Sequence, residues 1–341
     1  MRISAYTTFM MLFDRTSGAA GAMCDALSGT DYVAKLEAAL GALYGRACVV
    51  MSSVDAALHT ALHLCGTKRG DYVFVPSFTF YSYVATVTGM DAATVFIDCD
   101  PTTRCMSAAA LEAAFVWASL QNKLPTAVVV DNAFGSVADF DVLSPLCKSY
   151  GVPVIELACD AFGGDYKGKP CGANGDLGVI GFTKRIEGGG GALVCGDDEA
   201  AAREFSRGAF TENENHDYRM HNVIAALDFA QLPDGKKITA RARGNLAALA
   251  SQLDCVARPT DGDAAAFALV KAARLAQKLK SSGFSVKTPP PVHTMPQYST
   301  RPFFEHEPGF CVACTFSDCC LVDMDVSAVK RRRLAKLLKS V

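Results

Sequence analysis

Two hydrophobic rhythms alternate along the first two thirds of the chain. Residues 33–44 put Val33, Leu36, Ala39, Leu40 and Leu43 on one stripe at helical spacing, and the apolar run 47–51 follows. A second helix-like run, ALHTALHLC, leads to YVFVP at 72–76, a β-branched run stopped by proline. Strand-like runs recur at 93–100, 126–132 and 152–157, with periodic helical stretches between them. Short apolar runs separated by helices predict a parallel sheet covered on both faces. From about Ala200 the texture changes: 223–256 and 264–281 are rich in Ala, Leu and Lys at helical spacing. A proline-rich loop at 288–302, a strand pair and a basic last helix ending KRRRLAKLLKSV follow. The expected layout is α/β, a mostly parallel central sheet flanked by helices over 1–235, with a smaller C-terminal α+β domain over 236–341.

Composition narrows the function classes. Half of the 341 residues are hydrophobic, and 33 basic residues stand against 35 acidic ones, a formal charge of -2. That balance argues against a nucleic-acid binder, which needs a basic face. No apolar run approaches the roughly 18 residues that would span a bilayer. The start, MRISAYTTFMMLFDRTSG, lacks the long apolar core of a secretory signal and is read as part of the mature chain, so a cytoplasmic protein is expected. The 14 cysteines make up about 4% of the chain, below the level of a disulfide scaffold, and most sit in apolar runs as small hydrophobes. Cys311, Cys314, Cys319 and Cys320 form a cluster that begins with C-x-x-C. No second C-x-x-C or paired histidine follows at finger-like spacing, so these are expected to be buried thiols around a short strand, with no metal.

The strand-end loops carry several longer motifs. They are S-S-x-x-A-A-L-H at 52–59, P-S-F-T-F at 76–80, F-x-D-x-D-P-T-T at 96–103 and F-G-S-V-A-D-F-D at 134–141. G-x-x-G-D at 172–176, a lysine followed by glycines at 184–191, and Y-R-M-x-N-x-x-A-A-L-x-x-x-Q-L at 218–232 continue the series. Together they resemble the DegT/DnrJ/StrS sugar aminotransferases, fold-type I enzymes that depend on pyridoxal phosphate (PLP). The resemblance runs from about 36 to 322. It implies Lys184 as the lysine that binds PLP and then moves the proton, and Phe80 as the ring stacked on the cofactor. It also implies a dimer with shared active sites, in which the partner's segment equivalent to Asp217–Met220, with Tyr218 and Arg219, completes the phosphate site. S-T-R-P-F-F at 299–304, with Arg301, resembles the substrate loop of members that aminate nucleotide-linked 4-keto sugars.

Around the implied cofactor this sequence departs from the family. Where the family has E-D-A-A-Q the chain has Leu157 in place of the acid that pairs with the pyridine nitrogen, and Asp160 in place of the amide. Where the family has S-G-T-A-A-L, Ser53 is followed by Val54 and Asp55 in the places of Gly and Thr. Gly181 replaces the serine before the lysine, and Asp217 replaces the asparagine of the neighbour's segment. A carboxylate within about 4 Å of a phosphate dianion costs 1 to several kcal/mol. Each lost charge-assisted hydrogen bond removes roughly 1.5–3 kcal/mol more. Two readings therefore stay open. One is a PLP-dependent aminotransferase acting on a nucleotide-linked keto sugar. The other is a PLP-independent paralogue, homodimeric or paired with an active homologue, whose pocket serves another ligand, reaction or partner. In the second, Asp55, Asp160 and the partner's equivalent of Asp217 are expected to converge opposite Lys184, either around a cation or in an ion-pair network. His59 and His63, four apart on one helix, are read as packing or surface residues, and His216 and His221 as lining the dimer pocket. Trp117 is expected in the core. Glu156, Asp139 and Asp98 sit at strand ends, where structural caps are as well founded as catalysis.

Overall fold

The computed structural model describes residues 18–182, 188–208, 216–257, 262–271, 273–288 and 290–339. Helix α1 covers 18–27, and α2 (Tyr32–Tyr44) starts where Asp31 accepts the Ala34 N–H at 3.0 Å. It ends at Gly45, whose φ of 66° is a left-handed value that glycine adopts without a Cβ penalty. Six strand and helix units follow: β1 (Cys48–Met51), α3 (Val54–Leu64), β2 (Tyr72–Pro76), α4 (Tyr81–Gly89), β3 (Ala93–Ile97) and α5 (Ala108–Leu120). Next come β4 (Ala127–Asp131), α6 (Phe140–Ser149), β5 (Val154–Leu157), a small hairpin of β6 (Asp165–Tyr166) and β7 (Lys169–Pro170), then β8 (Leu177–Gly181) and β9 (Gly191–Val194).

The large sheet has the order β1-β9-β8-β5-β4-β2-β3-β12, the last strand being Phe303–Phe304. β9 runs antiparallel to both its neighbours, and the remaining neighbours pair in parallel. The strand runs expected at 72–76, 93–100, 126–132 and 152–157 all appear. Alternate residues feed separate cores: Val129, Ile155 and Leu157 pack towards α3 and α4, while Val128, Val130 and Val154 pack towards α5 and α6.

After α7 (Glu199–Ser206), helix α8 runs unbroken from Asn222 to Ala250 with Pro233 inside it. Its first half packs on α2, with Tyr32 edge-on to Phe229 at 5.7 Å, and its second half sends Ala242, Leu246 and Leu249 into the core of the small domain. The expected boundary after 235 thus falls inside one continuous helix. The small sheet is antiparallel, with β13 (Cys320–Asp323) between β10 (Phe267–Val270) and β11 (Val286–Lys287). Two expectations are corrected here. Residues 264–281 are not one helix: 267–270 form β10, because Phe267 to Val270 pair with Asp323 to Cys320, and only α9 (Ala276–Ser281) is α-helical there. The two strands after 302 do not pair with each other either. β12 joins β3 of the large sheet, while β13 fills the small one, and α10 (Val312–Thr315) lies between them. The chain closes on α11 (Ala328–Leu338), as the basic last helix predicts.

Candidate functional site

The start of α3 packs against the end of β8, where Gly181 lies beside Val54 and the Cys159 that follows β5. Ser53 caps that helix by accepting the Ala56 N–H at 3.0 Å, and Asp55 lies in its first turn. A helix N-terminus draws anions, and here the chain supplies its own, with Asp55 also accepting the Thr86 hydroxyl at 3.3 Å. Val54 and Gly181 are fitted to each other. A Cβ at 181 would stand 2.9 Å from Val54 Cγ2 and 2.9 Å from Cys159 Cβ, so a serine cannot be seated there without movement. The hydroxyl that the resemblance expects at 181 is thus replaced by apolar groups in contact.

Acids gather on the neighbouring strands. Leu157 is fully buried in the α3/α4-side core, and its register partner on β4 is Asp131. Asp131 is 4% exposed and accepts the Thr79 hydroxyl at 2.6 Å. Burial pushes its carboxyl up to about 8; the Thr79 hydrogen bond pulls it partly back, and the charge of Asp160 adds to the rise. Asp160 is itself buried. Tyr83 and Cys159 lie in the same electrostatic neighbourhood, and burial raises both well above their ordinary values. Phe80, the expected stacking ring, is half-buried against Tyr83 and Phe134, and the Lys287 ammonium sits over it, 4.3 Å from the ring centre. Lys184 lies outside the described residues. Just beyond it, Gly188 packs on the buried Asp228 of α8, whose carboxyl burial also raises to about 8, with the Gly188 N–H pulling it partly back.

The 216–220 segment folds onto its own chain. The Ser52 N–H donates to the Tyr218 carbonyl at 2.8 Å, and Met51 and Arg219 form an isolated β-bridge. Asp217 is held by Arg219 through contacts of 2.9 and 2.6 Å, which keep its carboxyl well below the usual range. Within the chain this acid is neutralised at the surface, and the acid found beside Asp160 is Asp131. The Tyr218 hydroxyl lies 2.6 Å from His59 Nδ1, and His216 stacks on the Tyr218 ring at 4.2 Å. His63 stacks on Phe205 at 3.9 Å, so the two helix histidines pack with aromatic rings. Arg301 is exposed beside β12. Trp117 is half-buried between Tyr72 and Phe304.

Two other strand-end acids are structural. Glu156 accepts from Asn132 Nδ2 at 2.7 Å, the Asn174 N–H at 2.6 Å and the Gly175 N–H at 3.2 Å. Buried Asp98 gathers four backbone N–H groups, those of Cys99, His306, Val312 and Ala313, at 2.8–3.2 Å. It thereby pins α10 to the end of β3. The cysteine expectation is corrected at this point. Cys319 and Cys320 are buried at β13, but Cys311, which caps the start of α10, and Cys314 within it face His293, with both sulfurs 3.8 Å from its Nε2. The sequence reading missed Asp131, Lys287 and His293. An aspartate ending the run AVVVD, one strand over from Leu157, was the available signal for the first.

The chain belongs to the DegT/DnrJ/EryC1/StrS aminotransferase family, whose family model matches residues 22–304. EpsN of Bacillus subtilis (strain 168) is 39% identical over 199 residues, 55% of this chain and 51% of that protein. The L-glutamine:scyllo-inosose aminotransferase of Streptomyces griseus is 37% identical over 159 residues, 46% of this chain and 36% of that enzyme. The chain thus spans about half or less of the length of these relatives. In fold, it is similar to a DegT DnrJ EryC1 StrS aminotransferase from Brucella abortus, with a TM-score of 0.84, 23% identity and 97% of each chain covered. The mostly parallel sheet with one antiparallel strand is that fold. Members of the family are PLP-dependent aminotransferases, and this pocket does not fit the group in the family's pose. The phosphate end holds the Val54–Cys159–Gly181 contact and the carboxylate of Asp55, and the place of the nitrogen-pairing acid is a buried leucine.

Among the described residues, no helix is long and apolar enough to cross a membrane.

Proposed function

We propose that this chain is a PLP-independent member of its family, whose pocket takes a cationic small molecule such as the ammonium of an amino sugar or aminocyclitol. The observation that carries this reading is the closure of the phosphate end by Val54, Cys159 and Gly181, next to two buried acids, Asp131 and Asp160. Two buried carboxylates close together favour a cation, because the positive charge offsets the repulsion between them, the repulsion that helps raise Asp131. Asp217 and Arg219, 45% and 63% exposed at the side chain, offer a charged pair to a second copy, which would complete the pocket as a dimer.

A second reading has one observation in its favour. Asp131 stands in register with Leu157, so an acid is present one strand away from the lost one. That reading keeps PLP-dependent amination of a nucleotide-linked keto sugar, with Asp131 towards the pyridine nitrogen.

One set of measurements separates them. PLP is added to the purified chain, the visible spectrum is recorded, and borohydride reduction is followed by peptide mapping, with Lys184→Ala as the control. Thermal shifts are then compared for scyllo-inosamine and neutral scyllo-inositol. The first reading expects no PLP band and a shift from the amine alone. A band that reduces onto Lys184 overturns it in favour of the second.

A further inference from the structure

We propose that His293, Cys311 and Cys314 form a zinc site with three protein donors and one position open to solvent. Among the described residues, these are the three donors from histidine, cysteine or acid side chains whose atoms all lie within 4.8 Å of one another. His293 Nε2 is 3.8 Å from each sulfur. A tetrahedral zinc ion with Zn–S of about 2.3 Å and Zn–N of about 2.0 Å sets its donors roughly 3.5–3.8 Å apart. The two sulfur–nitrogen edges are close to that spacing, and the third edge is within 4.8 Å.

Each donor is held by contacts of its own. His293 Nδ1 pairs with the Ser77 hydroxyl, which leaves Nε2 to face the sulfurs. Its ring lies parallel to Phe303 at 3.9 Å, and the preceding Val292 N–H donates to the Ser77 carbonyl at 2.9 Å. The Cys314 N–H donates to Cys311 Sγ at 3.2 Å, a contact that stabilises a thiolate. Asp98 fixes the two residues that follow Cys311. A bare S–H···N hydrogen bond would need one thiol on the imidazole; here two sulfurs stand at equal distance from the same nitrogen. Two sulfurs and one imidazole nitrogen favour zinc over magnesium or calcium, which prefer oxygen. Cys314 is exposed while His293 and Cys311 are half-buried, so the fourth position opens outwards to water. On binding, two thiols lose their protons to solvent and no electron moves.

The test uses the full chain, reduced and stripped with chelator, then titrated with Co²⁺ and back-titrated with Zn²⁺. The expected result is one equivalent of cobalt per chain, with a thiolate charge-transfer band in the near ultraviolet and tetrahedral bands in the visible, all abolished by zinc. Cys314→Ser, at an exposed position, should weaken binding at least about tenfold while leaving the circular dichroism unchanged. Ser77→Ala should weaken it by about 10-fold through the freed imidazole, and Cys24→Ser should have no effect. Absence of the bands in the folded wild type overturns the proposal. So does a spectrum that survives both Cys314→Ser and Cys311→Ser, which would place the metal on other thiols.

Discussion

The two faces of the sheet at β4 and β5 differ sharply. On the α5/α6 side, Glu156 has Asn132, Asn174 and Gly175 as hydrogen-bond donors at 2.6–3.2 Å. On the α3/α4 side, one residue along, Leu157 is apolar, Asp131 accepts the Thr79 hydroxyl at 2.6 Å, and burial pushes its carboxyl up to about 8. The first face holds the fold together and has kept the residues of the family motif. On the second face a leucine stands where the resemblance expects an acid, and two acids, Asp131 and Asp160, are buried. Two neighbouring residues of one strand thus serve different ends: Glu156 ties loops to the sheet, while Leu157 faces the pocket side.

The largest effect should come from the structural face. Glu156→Ala leaves several buried donors without an acceptor and should cost on the order of 3–5 kcal/mol, read as a lower urea midpoint at unchanged slope. A loss below about 1 kcal/mol would mean that the two faces are not distinct in this way. Gly181→Ser comes next, at about 1–3 kcal/mol from overpacking against Val54 and Cys159. Adding Val54→Gly should recover part of that loss by reopening the space, and no recovery would dissociate the two positions.

The pocket acids give a third, pH-dependent prediction. Asp131 rises from an ordinary value of 3.8 to about 8 on folding, so the folded state binds more protons than the unfolded state between those limits. Wild-type stability should therefore fall as pH rises from about 4 to about 8, and Asp228, shifted in the same direction, adds to the slope. Asp131→Asn should be near neutral at pH 5 and raise Tm by roughly 4–8 °C at pH 8.5. A pH-independent difference would show that the carboxyl is not buried as described. The same ionisation governs the proposed amine ligand, whose affinity should increase from about pH 6 to 8, as Asp131 gives up its proton. The smallest effect belongs to the surface: Arg219→Ala should cost less than about 1 kcal/mol by thermal unfolding, since the Asp217–Arg219 pair is open to solvent.

Much of this fold was legible because its strands are short apolar runs and its helices carry their own caps, as at Asp31 and Ser53. Residues 267–270 misled because FALV lies in an alanine-rich stretch, and only pairing with β13 decides for a strand. The glycine-rich β8 and β9 lack a strand signature for the same reason: their pairing is specified by neighbours rather than by side chains. Within the site, the lost contacts at Val54, Leu157 and Gly181 were readable by position. Asp131 offered only its place at the end of AVVVD and His293 offered no signal, since each gains its meaning from a residue more than 20 places away: Asp131 beside Leu157, and His293 on Ser77, 216 residues back in sequence.

The tie between Asp98 and the 306–313 segment bears on how the molecule is made. Asp98 waits through more than 200 residues of synthesis before its partners Val312 and Ala313 emerge, and β3 has no outer neighbour until 303–304 arrive. During that interval the newborn sheet carries an open edge strand, the kind of surface that recruits other chains. The arrival of 303–314 therefore seals the large sheet and, in the same movement, brings His293 and the two cysteines together.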